Sequence, residues 1–397
     1  MRKFLAILSS LLLFVFQLSA QNIQGTVVDE FTGKGIAFVS LGIIGTNLAT
    51  TITNENGEFV IKVESYPAKV RFSHVSYLLG ETDLIQPNQS KLIIKLKPAI
   101  TNLNEVIINA NKAENLLKAA LKKAKDNSSK QIYSNAFYRQ LTSINDKPSK
   151  VYEMFYDLKW NTKAAKGWIV KQTRFAEDTE QSEFAIANQS FLTLIFSGVL
   201  LPEDEGKFIN LQTLKEYEIT IEKYIEQPNQ DIAVITCKFK SPRRKLFYVN
   251  STYYVGTKDF KIYRLENDIF NIPMDFPITI VKIPPFLKTV ATFNGDGKEY
   301  PVLESISTKL TLSINYGKSL ANINVNSLLT VFNVDENLKK QNYKSLDSKT
   351  QDQKTVQSVK YDVTFWKNNP IVKQTTLEDS FIKMMESKSA FGTMTNP

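Results

Sequence analysis

Thr53-Asn54-Glu55-Asn56-Gly57-Glu58-Phe59-Val60-Ile61-Lys62-Val63 carries the chain through a run of turn-forming residues into a strand. Gly57 supplies the backbone freedom that such a turn needs, and the residues after it have the length and composition of a short strand. The same grammar repeats on both sides. Val27-Val28 leads to a turn over 29–33 that contains Gly33, strands are predicted at 36–43, 50–53, 69–72 and 92–96, and Pro98 closes the unit. No helix-period segment interrupts it. Residues 23–98 are therefore expected to form a small β-sandwich, with Phe59 and Phe72 suited to fill its interior.

Several phrases of this region fall in a fixed order: Gly25-Thr26-Val27-Val28-Asp29, Thr32-Gly33, Ala37-Phe38-Val39, Gly45-Thr46, Thr53 through Phe59, and Val70-Arg71-Phe72-Ser73-His74-Val75-Ser76-Tyr77. Together they resemble the carboxypeptidase-regulatory-like, transthyretin-like domain. Members of that family often carry Asp where this chain has Asn54, and commonly Gly where it has Ser76. The resemblance implies an Ig/transthyretin-like accessory sandwich that is not itself catalytic. Such domains stand beside peptidase domains and at the N-terminus of outer-membrane receptors of Bacteroidota-type bacteria. Leu103-Asn104-Glu105-Val106-Ile107-Ile108 is similar to the segment that often follows. In the receptors a plug and a large barrel come next, and the length remaining here is too short for them.

The N-terminus predicts export. Met1-Arg2-Lys3 suits a signal-peptide n-region, an apolar run follows from Phe4 to Phe16, and Leu18-Ser19-Ala20 offers a small residue for cleavage, so residues 1–20 are expected to be a signal peptide. The apolar run is too short to span a bilayer as a helix, which needs about 20 residues. No cysteine lies near Ala20, so lipoprotein anchoring is not expected. The formal charge is +9, of which Arg2 and Lys3 lie in the signal segment, leaving +7 on the mature chain. That balance favours peripheral contact with anionic headgroups. A length of 397 residues with 43% hydrophobic content allows two or three domains with ordinary cores. The lone cysteine, Cys237, sits in the alternation 235–239 and is expected to be a small buried hydrophobe.

Residues 99–130 read as a linker with a helix over 113–125. Leu116, Leu117, Ala120, Leu121 and Ala124 share one face of that helix, and Glu114 and Lys118 are spaced i,i+4. Residues 131–376 read as a larger antiparallel β-rich domain, with strands at 135–142, 151–160, 168–175, 218–226, 231–239, 247–255, 300–312 and 327–334. The meander over 231–266 resembles the half-barrel sheet of periplasmic lipoprotein-carrier-like proteins. Residues 190–201 are apolar and fit either a short helix or a buried loop, followed by an acidic turn at 202–206. Pro273, Pro277, Pro284 and Pro285 make 272–285 a long loop or an edge. Asn294-Gly295-Asp296-Gly297 reads as a turn, and 335–360 as a polar, solvated, mobile loop. Order returns at 361–366, and a C-terminal helix is predicted within 377–392, with Thr376 and Asp379 as a capping box. The run from Phe365-Trp366 to Phe391-Gly392 resembles the ends of uncharacterised Bacteroidota envelope proteins that share the sandwich.

The chemistry expected is mostly negative. One histidine, His74, and one cysteine cannot build a His-rich or Cys/His metal site, and a Ser-His-Asp triad would have to recruit His74 from a strand surface. Asn54 to Glu58 lacks the ligand series of a calcium loop, and no phosphate-cradling glycine motif occurs. Glu203-Asp204-Glu205 is the densest acidic cluster and reads as a solvated loop. Lys238, Lys240, Arg243, Arg244 and Lys245, interleaved with Phe239 and Phe247, read as the solvated flanks of a β-turn at Ser241-Pro242; export argues against nucleic acid, and a polyanion that met this cluster would be lipopolysaccharide or a phospholipid headgroup. Accordingly no catalytic, cofactor-binding or metal-ligating residue is assigned and no cofactor is expected. The expected function is a non-enzymatic, exported protein of the periplasm or outer membrane that serves binding, assembly or scaffolding toward an envelope protein, glycan or lipid. A lipid or lipoprotein carrier is the second reading. A carboxylate-dependent hydrolase is the third, requiring two carboxylates about 5–10 Å apart across a cleft.

Overall fold

A computed structural model describes residues 21–45, 49–86, 91–102, 110–178, 190, 193, 200–201, 208–242, 246–273, 281–294, 299–316, 319–345, 351–369 and 371–391. The signal segment, the acidic turn 202–206, the turn residues 295–297 and Arg243 to Lys245 lie outside them.

The N-terminal unit is a two-sheet sandwich. Strands β1 (Gln21–Asp29), β4 (Glu58–Val63) and β7 (Leu92–Leu96) form one sheet in the order β4-β1-β7. The second sheet, β3-β2-β5-β6, is built from β2 (Ser40–Ile43), β3 (Ala49–Ile52), β5 (Ala68–Ser73) and β6 (Gly80–Leu84). Alternate side chains point inward, so Val27, Leu41, Phe59, Phe72, Leu84 and Leu96 make the core. Phe59 and Phe72 meet edge-on, 5.8 Å between centroids. Gly57 has φ +78°, and a Cβ there would lie 2.5 Å from the Val27 carbonyl oxygen.

The strand expected over 36–43 shortens to Ser40–Ile43 because Phe38 takes φ 59°. Thr53 holds this kink: its hydroxyl donates to the Ile36 carbonyl and accepts from the Val39 N–H. Strand β6 was not foreseen, since Gly-Glu-Thr-Asp-Leu has little strand character of its own and is recruited by pairing with β5.

Helix α1 (Ala110–Asp126) follows a short strand β8 (Thr101–Asn102). It buries Ala113, Leu117, Ala120, Leu121 and Ala124, and Glu114 pairs with Lys118 at 2.6 Å. The rest of the chain builds one open sheet, all of its pairings antiparallel. Its strands are β9 (Ile132–Ile144), β10 (Lys147–Trp160), β11 (Ala165–Glu177), β12 (Tyr217–Glu226), β13 (Asp231–Phe239), β14 (Tyr248–Gly256), β15 (Ile262–Phe270), β16 (Val281–Asn294), β17 (Val302–Tyr316) and β18 (Ser319–Val334). The order is β11-β10-β9-β18-β17-β16-β15-β14-β13-β12-β8, so the last long strand returns to pair with the first, and β11 and β8 remain as edges.

Period-two alternation gives this sheet two buried faces. On β10, Tyr152, Met154, Tyr156, Leu158 and Trp160 point to the face covered by α1, whereas Phe155 joins a cluster on the opposite face. That opposite face carries the sandwich, through Ile52 at one end and through Val75 and Leu78 at the other.

Two expectations from the prolines and polar residues are refined. Residues 281–285 are strand and not loop, but they run past the last β15 partner, Phe286 opposite Phe270, and pair only with β17, so Pro284 and Pro285 stand on an edge as the second alternative had it; the register with β17 also shifts between Ile283 and Phe286, where no ladder N–H is required, and Pro277 lies outside the described residues. The stretch 335–360 is not a free loop in its described part. It contains a 3-10 turn over Glu336–Lys340, a bridge from Lys344 to Trp168, and helix α2 (Asp352–Gln357), with Asp352 and Val356 fully buried. Tyr343 and Val356 anchor it: the Tyr343 ring lies 5.7 Å from that of Tyr133, and Val356 is buried in the large core while its carbonyl accepts from the Thr173 hydroxyl. Helices α3 (Val363–Asn368) and α4 (Thr376–Ser387) close the opposite face. The capping box of α4 is formed by Thr375 and Glu378, one position before the pair expected. No helix among the described residues is long and apolar enough to cross a membrane.

Candidate functional site

Charge is buried where the sandwich, the large sheet and the C-terminal segment meet. Adjacent strands β9, β10 and β11 place Arg139, Glu153 and Arg174 side by side on the face opposite α1. Glu153 is wholly buried and accepts from the Nε atoms of both arginines, at 2.7 Å from Arg139. Burial alone would push its carboxyl up, but the two guanidiniums overcome this and hold it below the usual carboxylate range. A carboxylate so held is a permanent anion and a poor proton donor.

The C-terminal segment completes the arrangement. Arg139 donates to the Val372 carbonyl at 3.2 Å and faces the Glu378 carboxylate at 3.6 Å; Arg174 faces Glu386 at 3.6 Å and lies over the rings of Trp366 and Phe391. From the other side, the Thr51 hydroxyl donates to the Ile371 carbonyl, and the Asn54 amide donates to that of Gln374 at 3.2 Å. Residues 371–374 thus form a strap whose carbonyls are held by sandwich and sheet at once. Phe137, Phe155, Trp366 and Val372 pack around it with Ile52 of the sandwich.

Two cavities flank the strap. One, of about 210 Å³, is lined by Gln24, Arg139, Arg174, Trp366 and Lys373 among others. The other, of about 320 Å³, is lined by Glu55, Asn326, Leu328, Leu377 and Glu378 among others, and shares Arg139 and Lys373. Glu55 and Glu378 are two carboxylates on one cavity. Yet Glu378 accepts the Thr375 N–H at 2.8 Å as the helix cap and faces Arg139, so both its roles are structural.

The residues singled out in the sequence fall elsewhere. His74 is not on an open strand surface. It sits just past β5, between the sandwich and β15, with Nδ1 3.2 Å from the Ser76 N–H and Nε2 3.3 Å from Arg264. Burial first, and the Arg264 charge second, bring its pKa down to about 3. Cys237 is wholly buried, and burial pushes its thiol far up. Asn54 accepts from the N–H groups of Asn56 and Glu58, which makes 54–58 an Asx turn. Of the basic cluster, Lys240 donates to the Lys215 carbonyl and Phe239 packs between Tyr217 and Tyr248. Among the described residues no three His, Cys, Asp or Glu groups are placed to hold a metal. The seam itself was missed by sequence reasoning. Arg139, Glu153 and Arg174 stand inside strands where charge is rare, and that is the signal they leave.

The seam brings a sandwich with this strand order and these turns onto a second unit. Residues 23–108 match the family model of the CarboxypepD_reg-like domain. The CarboxypepD_reg-like domain supplies Thr51, Ile52 and Asn54 to the seam, and its match runs ten residues past Pro98. No curated protein matches the chain. Among solved structures, an outer membrane lipoprotein-sorting protein domain assigned in Vibrio parahaemolyticus is similar at 11% identity, over 57% of this chain and 93% of that one, with a TM-score of 0.27. A LolA superfamily protein from Nitrosomonas europaea gives 9% identity over 58% and 97%, TM-score 0.21. MucB in complex with MucA(peri) gives 7% over 57% and 95%, TM-score 0.18.

Proposed function

We propose that this chain is a non-enzymatic protein of the bacterial envelope that acts by binding or assembly, with the seam between the CarboxypepD_reg-like domain and the large sheet as its working surface. The observation that carries this reading is the commitment of the seam's ionisable groups. Glu153 is locked between two arginines, Glu378 caps a helix, and His74 is neutral and wedged against Arg264. Side chains spent in this way hold parts together and leave recognition, rather than proton transfer, to the cavities beside them. The signal-like N-terminus supports export.

Capture of the tagged protein from cross-linked native envelopes tests the reading. A protein, glycan or lipid enriched above control is the expected result, and enrichment of nothing would reject it. A lipid-carrying role would need an apolar hollow on the face beneath α1, where Leu117, Leu121, Trp160 and Leu214 instead pack into one core. Native mass spectrometry checks that point, and a co-purifying lipid would put the carrier first.

A further inference from the structure

We infer that the open groove between the end of α1 and the β14–β15 turn is a second binding site, which takes a sugar unit of a glycan against the ring of Phe260. It shares no residue with the cavities of the seam and goes beyond the function proposed for them.

Phe260 stands in a backbone conformation that does not suit it. Its φ of 55° is left-handed, where Cβ crowds the following carbonyl oxygen, and hairpin turns place Gly or Asn there as a rule. The turn imposes it all the same. Gln230 Oε1 accepts the N–H groups of Lys258 and Asp259 at 2.9 and 3.1 Å, and Gln230 Nε2 donates to the Tyr263 hydroxyl at 3.0 Å. The Asp259 carboxylate accepts the Lys261 N–H at 3.0 Å and the Tyr263 hydroxyl at 2.7 Å, and the Phe260 N–H donates to the Gly256 carbonyl at 3.0 Å. Burial of the ring does not offset this strain. Phe260 is 39% exposed, belongs to none of the hydrophobic clusters and makes no ring contact among the described residues. Folding gains little from such a side chain, whereas a fixed, part-exposed aromatic on a rigid turn is what a binding site uses as an anchor.

The groove that Phe260 lines, of about 540 Å³, is walled by Lys122, Lys123, Asp126, Asn127 and Glu299. That volume falls within the roughly 300–1,000 Å³ of small-molecule sites. Its polar groups are of both kinds. Lys122 and Lys123 donate, Asp126 and Glu299 accept, and Asn127, whose amide nitrogen donates to the Lys123 carbonyl at 2.9 Å, has its oxygen left to accept. The formal charges of the wall cancel, two against two, and Lys130, 3.9 Å from Glu299, adds one positive charge behind it. A phosphate or lipid headgroup would ask for a stronger surplus, and an acyl chain for an enclosed apolar hollow. A sugar ring suits both halves of the groove: its C–H face packs on an aromatic ring, and its hydroxyls, each both donor and acceptor, answer a rim of mixed sign.

Retention of the full chain on immobilised glycans tests the site, with neutral hexose, N-acetylamino and uronic-acid chains as separate arms and phosphatidylglycerol vesicles alongside. The decisive variant is Phe260→Asn, which removes the ring and relieves the backbone, since Asn accepts the left-handed conformation. Its thermal midpoint is expected at or above that of the wild type, so lost binding is not lost folding. The expected result is retention on at least one glycan arm, weakened about tenfold or more in Phe260→Asn, as for the loss of an aromatic anchor. Retention on uronic-acid chains alone assigns an acidic glycan, and retention on the other arms an uncharged one. No retention on any glycan, retention that Phe260→Asn leaves intact, or retention on the vesicles alone overturns the site.

Discussion

Glu153 shows how a single residue can be both a liability and a lock. Its carboxylate lies between Arg139 and Arg174 with no water contact of its own. Removing one partner of such a buried set leaves charge without compensation, which costs about 3–5 kcal/mol. Glu153→Gln is therefore expected to lower the unfolding free energy by that amount in urea titrations; a loss below about 1 kcal/mol would show that the arginines find other partners. His74 makes a different prediction. Neutral imidazole has one acceptor nitrogen, so it keeps either the Ser76 N–H bond or an acceptor contact to Arg264, and a proton removes both. The folded pKa near 3 lies below the unfolded value of about 6.5. Between those values the unfolded chain binds the extra proton, so the stability due to His74 is complete above about pH 6.5 and is lost as pH falls. Comparing pH 7.5 with pH 5.5, the urea midpoint should drop in the wild type and drop less in His74→Gln. Glu153, held below the ordinary range, contributes above about pH 4.3 and is lost only in more acid solution, outside that comparison.

Helix α4 carries the lesson about elements. Phe381, Ile382 and Met385 dock it on the sheet with Leu141 and Val151, and Thr375 starts it by accepting the Glu378 N–H while Glu378 accepts the Thr375 N–H. The sequence Thr375-Thr376-Leu377-Glu378-Asp379 contains two overlapping capping boxes, Thr375 with Glu378 and Thr376 with Asp379. Local pattern cannot choose between them; the choice is made by Asn54 holding the Gln374 carbonyl and by Arg139 drawing Glu378 inward. Thr375→Ala should then cost about 1 kcal/mol and Thr376→Ala only a few tenths, a difference readable in thermal midpoints. Elements with strong periodicity were legible in advance: β4, β7 and β13 have the bounds that their alternation and turns predict, and α1 buries four of the five positions assigned to its apolar face. Those that lean on a neighbour were not. Strand β6 exists because β5 offers an edge, and β16 crosses Pro284-Pro285 because a register shift removes the need for their missing N–H groups.

At the scale of the whole molecule, the β-rich character and the sandwich could be read from the sequence because they rest on local alternation. The seam could not. It joins residues as far apart as Thr51 and Ile371, or Arg139 and Val372, and contacts at that separation leave no spacing to detect. Its consequence is cooperativity. The sandwich touches the large sheet through Ile52 at one end, and at the other through the Arg264–His74 contact and Gln227, whose amide donates to the carbonyls of Val75 and Tyr77. The strap and helices α3 and α4 hold the Ile52 end. Ending the chain at residue 360 would bare Phe137, Phe155, Leu141 and Val151 and would take from Arg139 and Arg174 their outer partners, while leaving both hydrophobic cores, around Phe59 and around Trp160, complete. Each unit keeps the means to fold, but the joint between them loses the strap and helices and keeps only the His74–Gln227 end and the direct packing of β3 on β18. The intact chain is therefore expected to melt in one calorimetric transition and the shortened chain in two, with the lower one falling further as the bared apolar face exposes hydrated surface. A single transition at an unchanged midpoint after the truncation would show that the strap is an ornament on the sheet and that the sandwich is coupled to it by other means.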